Sequence, residues 1–399
     1  MSVPNTNTFS LRDVVDELSD YAPNSLSSCF GYSNDVLFDP RYKGDKDRLS
    51  NFRNYGWYGN LIYKSTLETE QTLSAIHGPG GRDTSVNGLF FFATFLQGYV
   101  SAFNIGNAGL FARYPSNFSV NGSPTDIYCH TRSRIFVVDY NDVVGSPYYR
   151  ESRLYCLSHA GSTWYLLDTY VSDYFGTPSD SKYKHVTAND DGAFVFASGE
   201  WADGYQTIDV LSVDILGRFN HRSTFSVGVD VTAMKWVNGY LVVAAKSGST
   251  TYLRTYALNV TNGTLSFDTS YTIPSAYGLQ LGKIETDGNG LIFCAHIGTY
   301  ITAWRIAGNG GISFTDSDTR GGGGKGIGYS SIAGTPISGD GSILYSFRMT
   351  DTDDYFAEDS ELRDGNTYIY ADFSNRFAVT WAVTFPDAAR YHLHSYQIT

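Results

Sequence analysis

The sequence has few of the residues that mark disulfide-bonded, zinc-binding or helical proteins. Its 399 residues include only four cysteines, and Cys29, Cys129, Cys156 and Cys294 lie far apart without a C-x-x-C pair. This spacing excludes the usual zinc and redox motifs and favours buried thiols in a reducing compartment. Charged residues are only 17% of the chain, without long Lys/Glu-rich stretches. We therefore expect little helix.

Basic clusters and long apolar runs are also missing. The 40 acidic and 28 basic residues give a net charge of −12, and no group of Lys and Arg stands out as a phosphate-binding patch. The longest apolar run, Leu89 to Leu96, is interrupted by Thr94 and is far shorter than the roughly 20 residues of a membrane helix. Residues 1–20 lack the pattern of a secretory signal. The sequence predicts no nucleic-acid partner and no direct membrane insertion.

Aromatic and turn-forming residues are abundant, with 31 Tyr, 25 Phe and 41 Gly. A turn dipeptide repeatedly precedes a run of strand-forming residues, at Asn87-Gly88, Asp191-Gly192, Asn238-Gly239, Asp287-Gly288 and Asp340-Gly341. The last four begin at residues 191, 238, 287 and 340, so they are 47, 49 and 53 residues apart. A period near 50 residues with four short strands is typical of a propeller blade.

The repeat predicts an all-β fold in which residues 57–399 form a β-propeller. A period of about 49 residues favours seven blades, and six is the alternative because an acidic insertion obscures the repeat between Ser331 and Pro386. We expect the hairpin-like stretch Asn60 to Ile76 and the alternating stretch Arg390 to Ile398 to complete one blade. Continuous apolar runs, such as residues 90–92 and 242–245, are assigned to the innermost strands.

Residues 1–56 have a different pattern and are predicted to form a small helical or irregular module. Ser10 is placed to cap a helix that carries Leu11, Val14, Val15 and Leu18 on its apolar face. Asp13, three residues after the cap, completes a weak capping box. A second helical turn is expected from residue 25 to residue 30.

The segments NTFSLRDVVDEL, SLSSCF, FDPRYKG and RLSNFRNYG resemble a short N-terminal module of bacteriophage virion structural proteins, especially of phages that infect Bacteroidetes. The resemblance covers about 55 of the 399 residues. It implies docking on the virion, with the propeller presented as part of a tail, fibre or spike. The docking candidates are Leu11, Val14, Leu18, Phe30, Phe38, Tyr42, Leu49, Phe52, Arg53 and Tyr55. Assembly in the host cytoplasm, contacts with other virion proteins and multiple copies in a symmetric assembly follow from it.

Catalytic and metal-binding patterns are weak, and we predict no catalytic, cofactor or metal residue. There is no G-x-S-x-G elbow. The pair His392 and His394 lacks a third ligand, the acidic run from Asp351 to Glu361 lacks calcium-loop spacing, and the loop from Gly321 to Lys325 lacks a phosphate-loop ending. Strand-end carboxylates offer possible glycosidase pairs without selecting one: Asp139, Asp168, Asp203 and Asp230.

Aromatic residues in expected loops are the best candidates for a binding surface, because Tyr and Trp combine apolar area with a hydrogen-bonding group. The surface-binding candidates are Tyr148, Tyr149, Tyr174, Trp201, Tyr205, Tyr277 and Tyr329. The favoured function is a virion component that binds a host surface receptor or glycan. A propeller enzyme acting on a surface glycan or lactone, and a bacterial scaffold without a viral connection, remain the alternatives.

Overall fold

A computed structural model describes most of the chain. The described residues are 10–17, 25–33, 47–52, 61–69, 71–79, 89–106, 108, 110–142, 150–172, 181–201, 206–277, 280–297, 300–319, 326–330, 335–339, 341–348, 357–366, 368–371, 377–384 and 390–398. They contain two α-helices, two short 3₁₀ helices at Leu49–Phe52 and Ser275–Tyr277, and 28 strands in seven antiparallel sheets of four.

Each sheet is one blade, and six blades are formed by four consecutive strands. Blade 1 contains β2 (Leu73–His77), β3 (Leu89–Phe95), β4 (Tyr99–Ile105) and β5 (Phe111–Ser119). Blade 2 contains β6 (Ser123–Thr131), β7 (Arg134–Asp142), β8 (Arg150–Ala160) and β9 (Thr163–Val171). Blade 3 contains β10 (Ser181–Ala188), β11 (Phe194–Trp201), β12 (Gln206–Val213) and β13 (Phe219–Ser226).

Blades 4 to 6 repeat this order. Blade 4 contains β14 (Asp230–Val237), β15 (Tyr240–Ser247), β16 (Thr250–Asn259) and β17 (Thr264–Ile273). Blade 5 contains β18 (Leu281–Thr286), β19 (Leu291–His296), β20 (Ile301–Ile306) and β21 (Ile312–Asp318). Blade 6 contains β22 (Ile327–Ser330), β23 (Thr335–Gly339), β24 (Gly341–Arg348) and β25 (Ala357–Asn366).

Blade 7 joins the two ends of the ring. It contains β26 (Tyr368–Ala371), β27 (Phe377–Thr384) and β28 (Arg390–Ile398), and its fourth strand is β1 (Leu61–Thr69). The first strands of successive blades contact one another around the ring, and β26 contacts β2. The prediction of a seven-bladed β-propeller is confirmed, and the six-bladed alternative is wrong.

Closure depends on antiparallel pairing between β1 and β28. The pairing runs from Leu61 opposite Ile398 to Thr69 opposite Tyr391, with the hydroxyls of Ser65 and Ser395 2.8 Å apart. The C-terminal strand therefore completes the closing blade as predicted. The expected hairpin between residues 60 and 76 is wrong, because β1 belongs to blade 7 whereas β2 begins blade 1.

A disulfide across this closure is expected to stabilise the ring. Ser65 and Ser395 are directly opposed on β1 and β28, a placement compatible with the short Cα separation that a disulfide needs. We expect Ser65→Cys combined with Ser395→Cys to raise the free energy of unfolding by about 2–4 kcal/mol when oxidised. Urea titration with and without reductant measures the gain. Equal stability in both conditions would contradict it, and each single cysteine variant is the control.

The long apolar runs of blades 1 and 4 lie on the second strands, not on the innermost ones. All seven residues of β3 are buried, and residues 241–245 of β15 are fully buried. Each of these strands is paired along both edges and covered by neighbouring blades on both faces. The assignment of these runs to innermost strands is wrong, because an innermost strand has one edge on the central channel, where polar side chains are tolerated.

One turn of the predicted repeat occupies a different place in its blade. The strand after Gly341 is the third strand of blade 6, whereas the strands after Gly192, Gly239 and Gly288 are second strands. This difference explains why the last spacing in the sequence is the longest. In blade 4, Asn238 and Gly239 have φ values of 51° and 87°, which is the left-handed geometry of a tight hairpin turn.

The N-terminal module has the two predicted helices, α1 (Leu11–Glu17) and α2 (Leu26–Tyr32). Ser10 and Asp13 exchange hydrogen bonds, since the amide of Ser10 donates to Asp13 Oδ2 at 2.5 Å and that of Asp13 donates to Ser10 Oγ at 3.4 Å. The predicted capping box is therefore present. The side chain of Ser25 caps α2 by accepting from the Ser28 amide at 3.2 Å.

Within the described residues, no helix has the length and apolar character needed to cross a membrane.

Candidate functional site

The docking candidates that are described form a hydrophobic cluster of their own. Val14 and Phe52 are completely buried, and Phe30 stacks on Phe52 with a ring separation of 4.6 Å. Leu11 and Leu49 pack against the same cluster. Val14 and Phe52 therefore support the module from inside and have no side-chain surface for a partner. The remaining candidates lie outside the described residues: Leu18, Phe38, Tyr42, Arg53 and Tyr55.

Few of the surface-binding candidates can be placed. Tyr148, Tyr149, Tyr174 and Tyr205 lie outside the described residues, and Trp201 ends β11 without a described side chain. Tyr277 is half-buried, with its ring stacked on that of Phe314 at 5.8 Å.

Tyr329 is the one surface-binding candidate that the structure contradicts. Its side chain is only 4% exposed, and its ring stacks on the buried ring of Phe293 at 5.4 Å. Its prediction as a surface residue is wrong, because it lies on β22, where it packs between blades 5 and 6.

The channel-lining strands of blades 1 to 5 share one irregularity that aligns their side chains. Each has a one-residue shift in its pairing with the second strand, between Leu73 and Ala75, Pro124 and Asp126, Tyr183 and His185, Val231 and Ala233, and Leu281 and Lys283. Such bulges redirect the side chains that follow them. Equivalent positions in the five blades can therefore be compared directly.

Two sets of equivalent residues line one cavity on the channel, which we call the central cavity. The residues directly after the bulge are Ala75, Asp126, His185, Ala233 and Lys283. The residues two positions later are His77, Tyr128, Thr187, Lys235 and Glu285. The cavity has a volume of about 310 Å³ and is open to solvent. Five blades thus contribute charged, polar and aromatic groups to a single site.

Several of these side chains join one blade to the next. Asp126 Oδ2 accepts a hydrogen bond from the backbone amide of Val186 at 2.9 Å, and His77 Nδ1 accepts one from the amide of Cys129 at 3.2 Å. The ammonium of Lys235 pairs with Glu285 at 2.6 Å, and each of these side chains is only 14% exposed. The lining of the cavity is therefore held in place by bonds between neighbouring blades.

Burial changes the protonation of the cavity groups. It raises the pKa of Asp126 to about 6, although two backbone N–H groups stabilise the charged form. Lys283 and Lys235, from blades 5 and 4, oppose this increase. Burial also lowers the pKa of Lys283, and it lowers the pKa of His185 to about 4 with a further contribution from Lys184. His185 is thus neutral near pH 7, and its Nδ1 lies 4.0 Å from Asp126 Oδ2, too far for a hydrogen bond.

One polar group of the cavity has no internal partner. Thr187 is 1% exposed, and its hydroxyl has no hydrogen-bond partner in the part of the chain that the structure describes. An unpaired buried hydroxyl costs about 1–3 kcal/mol. A ligand hydroxyl or a water molecule in the cavity is the kind of group that would satisfy it.

The three described strand-end carboxylates suggested by the sequence have separate partners and do not meet at one site. Asp168 accepts from the backbone amide of Phe219 at 2.7 Å, and Asp230 pairs with Lys184 at 2.8 Å. Asp139 is completely buried, and Asp203 lies outside the described residues. Among the described residues, no group of three or more His, Cys, Asp or Glu side chains is placed to hold a metal ion.

Asp139 has a structural role that a substitution can test. Its Oδ2 accepts from the amide of Gly122 at 2.8 Å and the hydroxyl of Tyr155 at 3.0 Å, and burial raises its pKa to about 6. The folded protein therefore holds a proton between about pH 4 and pH 6 that the unfolded chain releases, so ionisation lowers stability as the pH rises through this range.

Asp139→Asn removes this ionisation and keeps an oxygen acceptor. We expect it to raise the free energy of unfolding at pH 7.5 by about 1–2 kcal/mol, less than the full shift implies because the new amide NH2 group would replace Oδ1, which has no hydrogen-bond partner among the described residues. At pH 4 the gain should disappear. Urea titrations at the two pH values provide the comparison, and a loss of stability at pH 7.5 would contradict the assignment.

The sequence carries a signal for the cavity residues in the first strand of several repeats. Thr187, Lys235 and Glu285 all occur two to four residues before the first turn of their repeat. The turn dipeptides and the apolar runs that follow them dominate the repeat, so the polar positions before the turns do not stand out in the sequence. A polar residue at this point of several repeats marks the side of the strand that faces the channel.

Comparison with known proteins supports the fold alone. No protein-family model matches the chain, and no curated protein matches it. A crystal structure of a Lactobacillus plantarum protein is similar with a TM-score of 0.52 and 13% identity, over 79% of this chain and 93% of that one. Raptor from Chaetomium thermophilum is similar with a TM-score of 0.59 and 9% identity, over 86% of this chain and 29% of that one. At such identities the similarity carries the β-propeller architecture and no function.

Proposed function

We propose that the protein is a non-catalytic bacteriophage virion component that docks on the particle through residues 1–56 and recognises the host surface through its propeller. The observation that carries the proposal is the resemblance of the N-terminal segment to a phage docking module. Its described part has its own hydrophobic cluster of Val14, Val15, Cys29 and Phe52, made only of residues from this segment. A cluster of this kind suits a module that serves as an adaptor.

The central cavity suits recognition because the carboxylates of Asp126 and Glu285 are engaged in internal bonds. Asp126 is held by backbone amides and Glu285 by Lys235, so neither carboxylate is presented as an isolated acid or base. Hydrogen-bonding groups fixed in a rigid site favour binding with little loss of entropy. The central cavity is the site we assign to this recognition.

Binding to particles and to host cells tests the proposal. Residues 57–399 retain all 28 strands, so this shortened chain is a matched control for the full chain. We expect the full chain to join phage particles and bind host cells, and the shortened chain to bind cells only. If neither protein binds cells, host recognition is wrong. If the shortened chain joins particles as well as the full chain, docking through the N-terminal module is wrong.

A second function, hydrolysis of a surface glycan, is favoured by one observation. Asp126 and Glu285 line the same cavity, and a carboxyl group whose pKa is raised to about 6 is suited to act as a general acid. The test is release of reducing sugar from host polysaccharide by the full chain. Release that is lost in Asp126→Asn and Glu285→Gln would favour the enzyme, whereas the leading proposal expects no release.

A further inference from the structure

We propose that the central cavity binds one neutral sugar ring of a host surface glycan. The inference rests on the proposed host recognition and adds the ligand class and the residues that contact it. Asp126, Glu285, Lys235, Lys283 and Thr187 are the groups assigned to the ligand's hydroxyls.

The size of the cavity suits a ligand of about one ring. Its volume of about 310 Å³ is at the lower end of the range typical of small-molecule pockets. Inner strands from five blades surround it, and it opens to solvent. The end of a glycan chain can therefore enter while the rest of the chain stays outside.

The charges of the cavity favour a neutral ligand. The carboxylates of Asp126 and Glu285 balance the ammonium groups of Lys235 and Lys283, and Lys235 and Glu285 already form an ion pair at 2.6 Å. A strongly charged ligand would be attracted by the cavity groups of opposite charge and repelled by those of the same charge. A hydroxyl avoids this conflict, because it donates to a carboxylate and accepts from an ammonium at the same time.

The cavity groups also have hydrogen-bonding capacity left for a ligand. A carboxylate offers about four acceptor positions, and Asp126 uses two for the amides of Ile127 and Val186. An ammonium has three N–H donors, of which Lys235 gives one to Glu285. The hydroxyl of Thr187 has no partner among the described residues. Adjacent donors and acceptors of this kind match the hydroxyls around a sugar ring.

Lys283→Met is the decisive variant because it separates binding from folding. It removes the Lys283 ammonium, whose pKa is lowered because burial disfavours its charged form. We therefore expect the variant to be as stable as the parent or more stable. Thr187→Val is a second variant, which removes the hydroxyl and keeps the shape of the threonine side chain. Lys64→Met is the control for the loss of a lysine, since β1 is the outermost strand of blade 7.

The experiment is calorimetric titration of the full chain with methyl glycosides of glucose, galactose, mannose, fucose and N-acetylglucosamine, and separately with sialic acid and free amino acids. We expect at least one neutral glycoside to bind saturably. Binding should weaken roughly ten- to a hundredfold in Lys283→Met, as expected for the loss of a charged hydrogen bond, and several-fold in Thr187→Val. Lys64→Met should bind like the parent.

The outcomes separate this inference from the proposed function. Binding of only charged sugars or amino acids, or neutral-sugar binding that Lys283→Met leaves unchanged, would overturn the sugar site. Host-cell binding that Lys283→Met retains in full would overturn it too, while leaving host recognition standing. Conversely, a full chain that binds a neutral glycoside through Lys283 but does not bind host cells would support the sugar site and reject host recognition.

Discussion

Replacing Trp304 by alanine is expected to lower the free energy of unfolding by about 3–5 kcal/mol, the range for removal of a large buried aromatic side chain. Trp304 is completely buried on β20, within a cluster that joins blades 4 and 5. Its ring contacts those of Tyr271 at 4.9 Å and Phe314 at 5.1 Å, both edge to face. Alanine would leave a cavity between two blades.

The indole also supports a buried polar group. Its N–H donates to Thr302 Oγ1 at 2.8 Å, and the same oxygen lies 2.8 Å from His296 Nε2. Trp304→Phe keeps most of the packing and loses this bond, so we expect a smaller loss. Urea denaturation measures the series, with Leu216→Ala on an exposed turn as the control. A loss below about 1 kcal/mol in Trp304→Ala would show that the blade interface contributes little.

Replacing His159 by phenylalanine is expected to stabilise the protein, most strongly in acid. His159 is 2% exposed among aromatic rings, with Trp164 at 4.7 Å and Tyr114 at 5.1 Å. Neither ring nitrogen has a hydrogen-bond partner in the described part of the chain. At neutral pH the gain should be about 1–2 kcal/mol, because an unpaired buried N–H is replaced by carbon.

The stabilisation expected of His159→Phe is larger at acid pH. Burial, together with the charge of Arg132, lowers the pKa of His159 to about 4 from an ordinary value of 6.5. The unfolded chain therefore binds a proton between about pH 6.5 and pH 4 that the folded protein excludes, and stability falls as the pH falls through this range. His159→Phe removes that loss, so the total gain at pH 4.5 should reach about 3–5 kcal/mol.

Urea titrations at pH 7.5 and pH 4.5 test this pH dependence. His221 is the matched control, because it is a half-exposed histidine stacked on Tyr170. His221→Phe should change stability little at either pH. A gain in His159→Phe that is the same at both pH values would show that protonation of this ring does not limit stability in acid.

The strand pattern was predictable because its causes are local. The dipeptide at residues 238–239 has the backbone geometry that only such residues adopt readily, and the alternation after it defines the next strands. The capping box at Ser10 is local in the same sense. Predictions failed where two segments looked alike locally, as in blade 6, where a Gly-containing turn precedes the third strand instead of the second.

The candidate site was less accessible to prediction. Asp126 and Lys283 are ordinary charged residues of strands more than 150 positions apart in the chain. Aromatic residues drew attention instead, and Tyr329 was assigned to the surface although it fills a blade interface. Tyrosine suits both solvent and the interface between blades, so its presence in a sequence does not show which of the two it faces.

The sequence by itself determined the all-β architecture, the period of about 50 residues, the most apolar strands and the two short N-terminal helices, because each follows from local periodicity and turn chemistry. Only the tertiary structure decided that β1 completes blade 7 and that charges from blades 2, 4 and 5 share one cavity. These features arise because ring closure brings distant strands to one axis, and because a bulge in the inner strand of each of blades 1 to 5 sets which side chains face it.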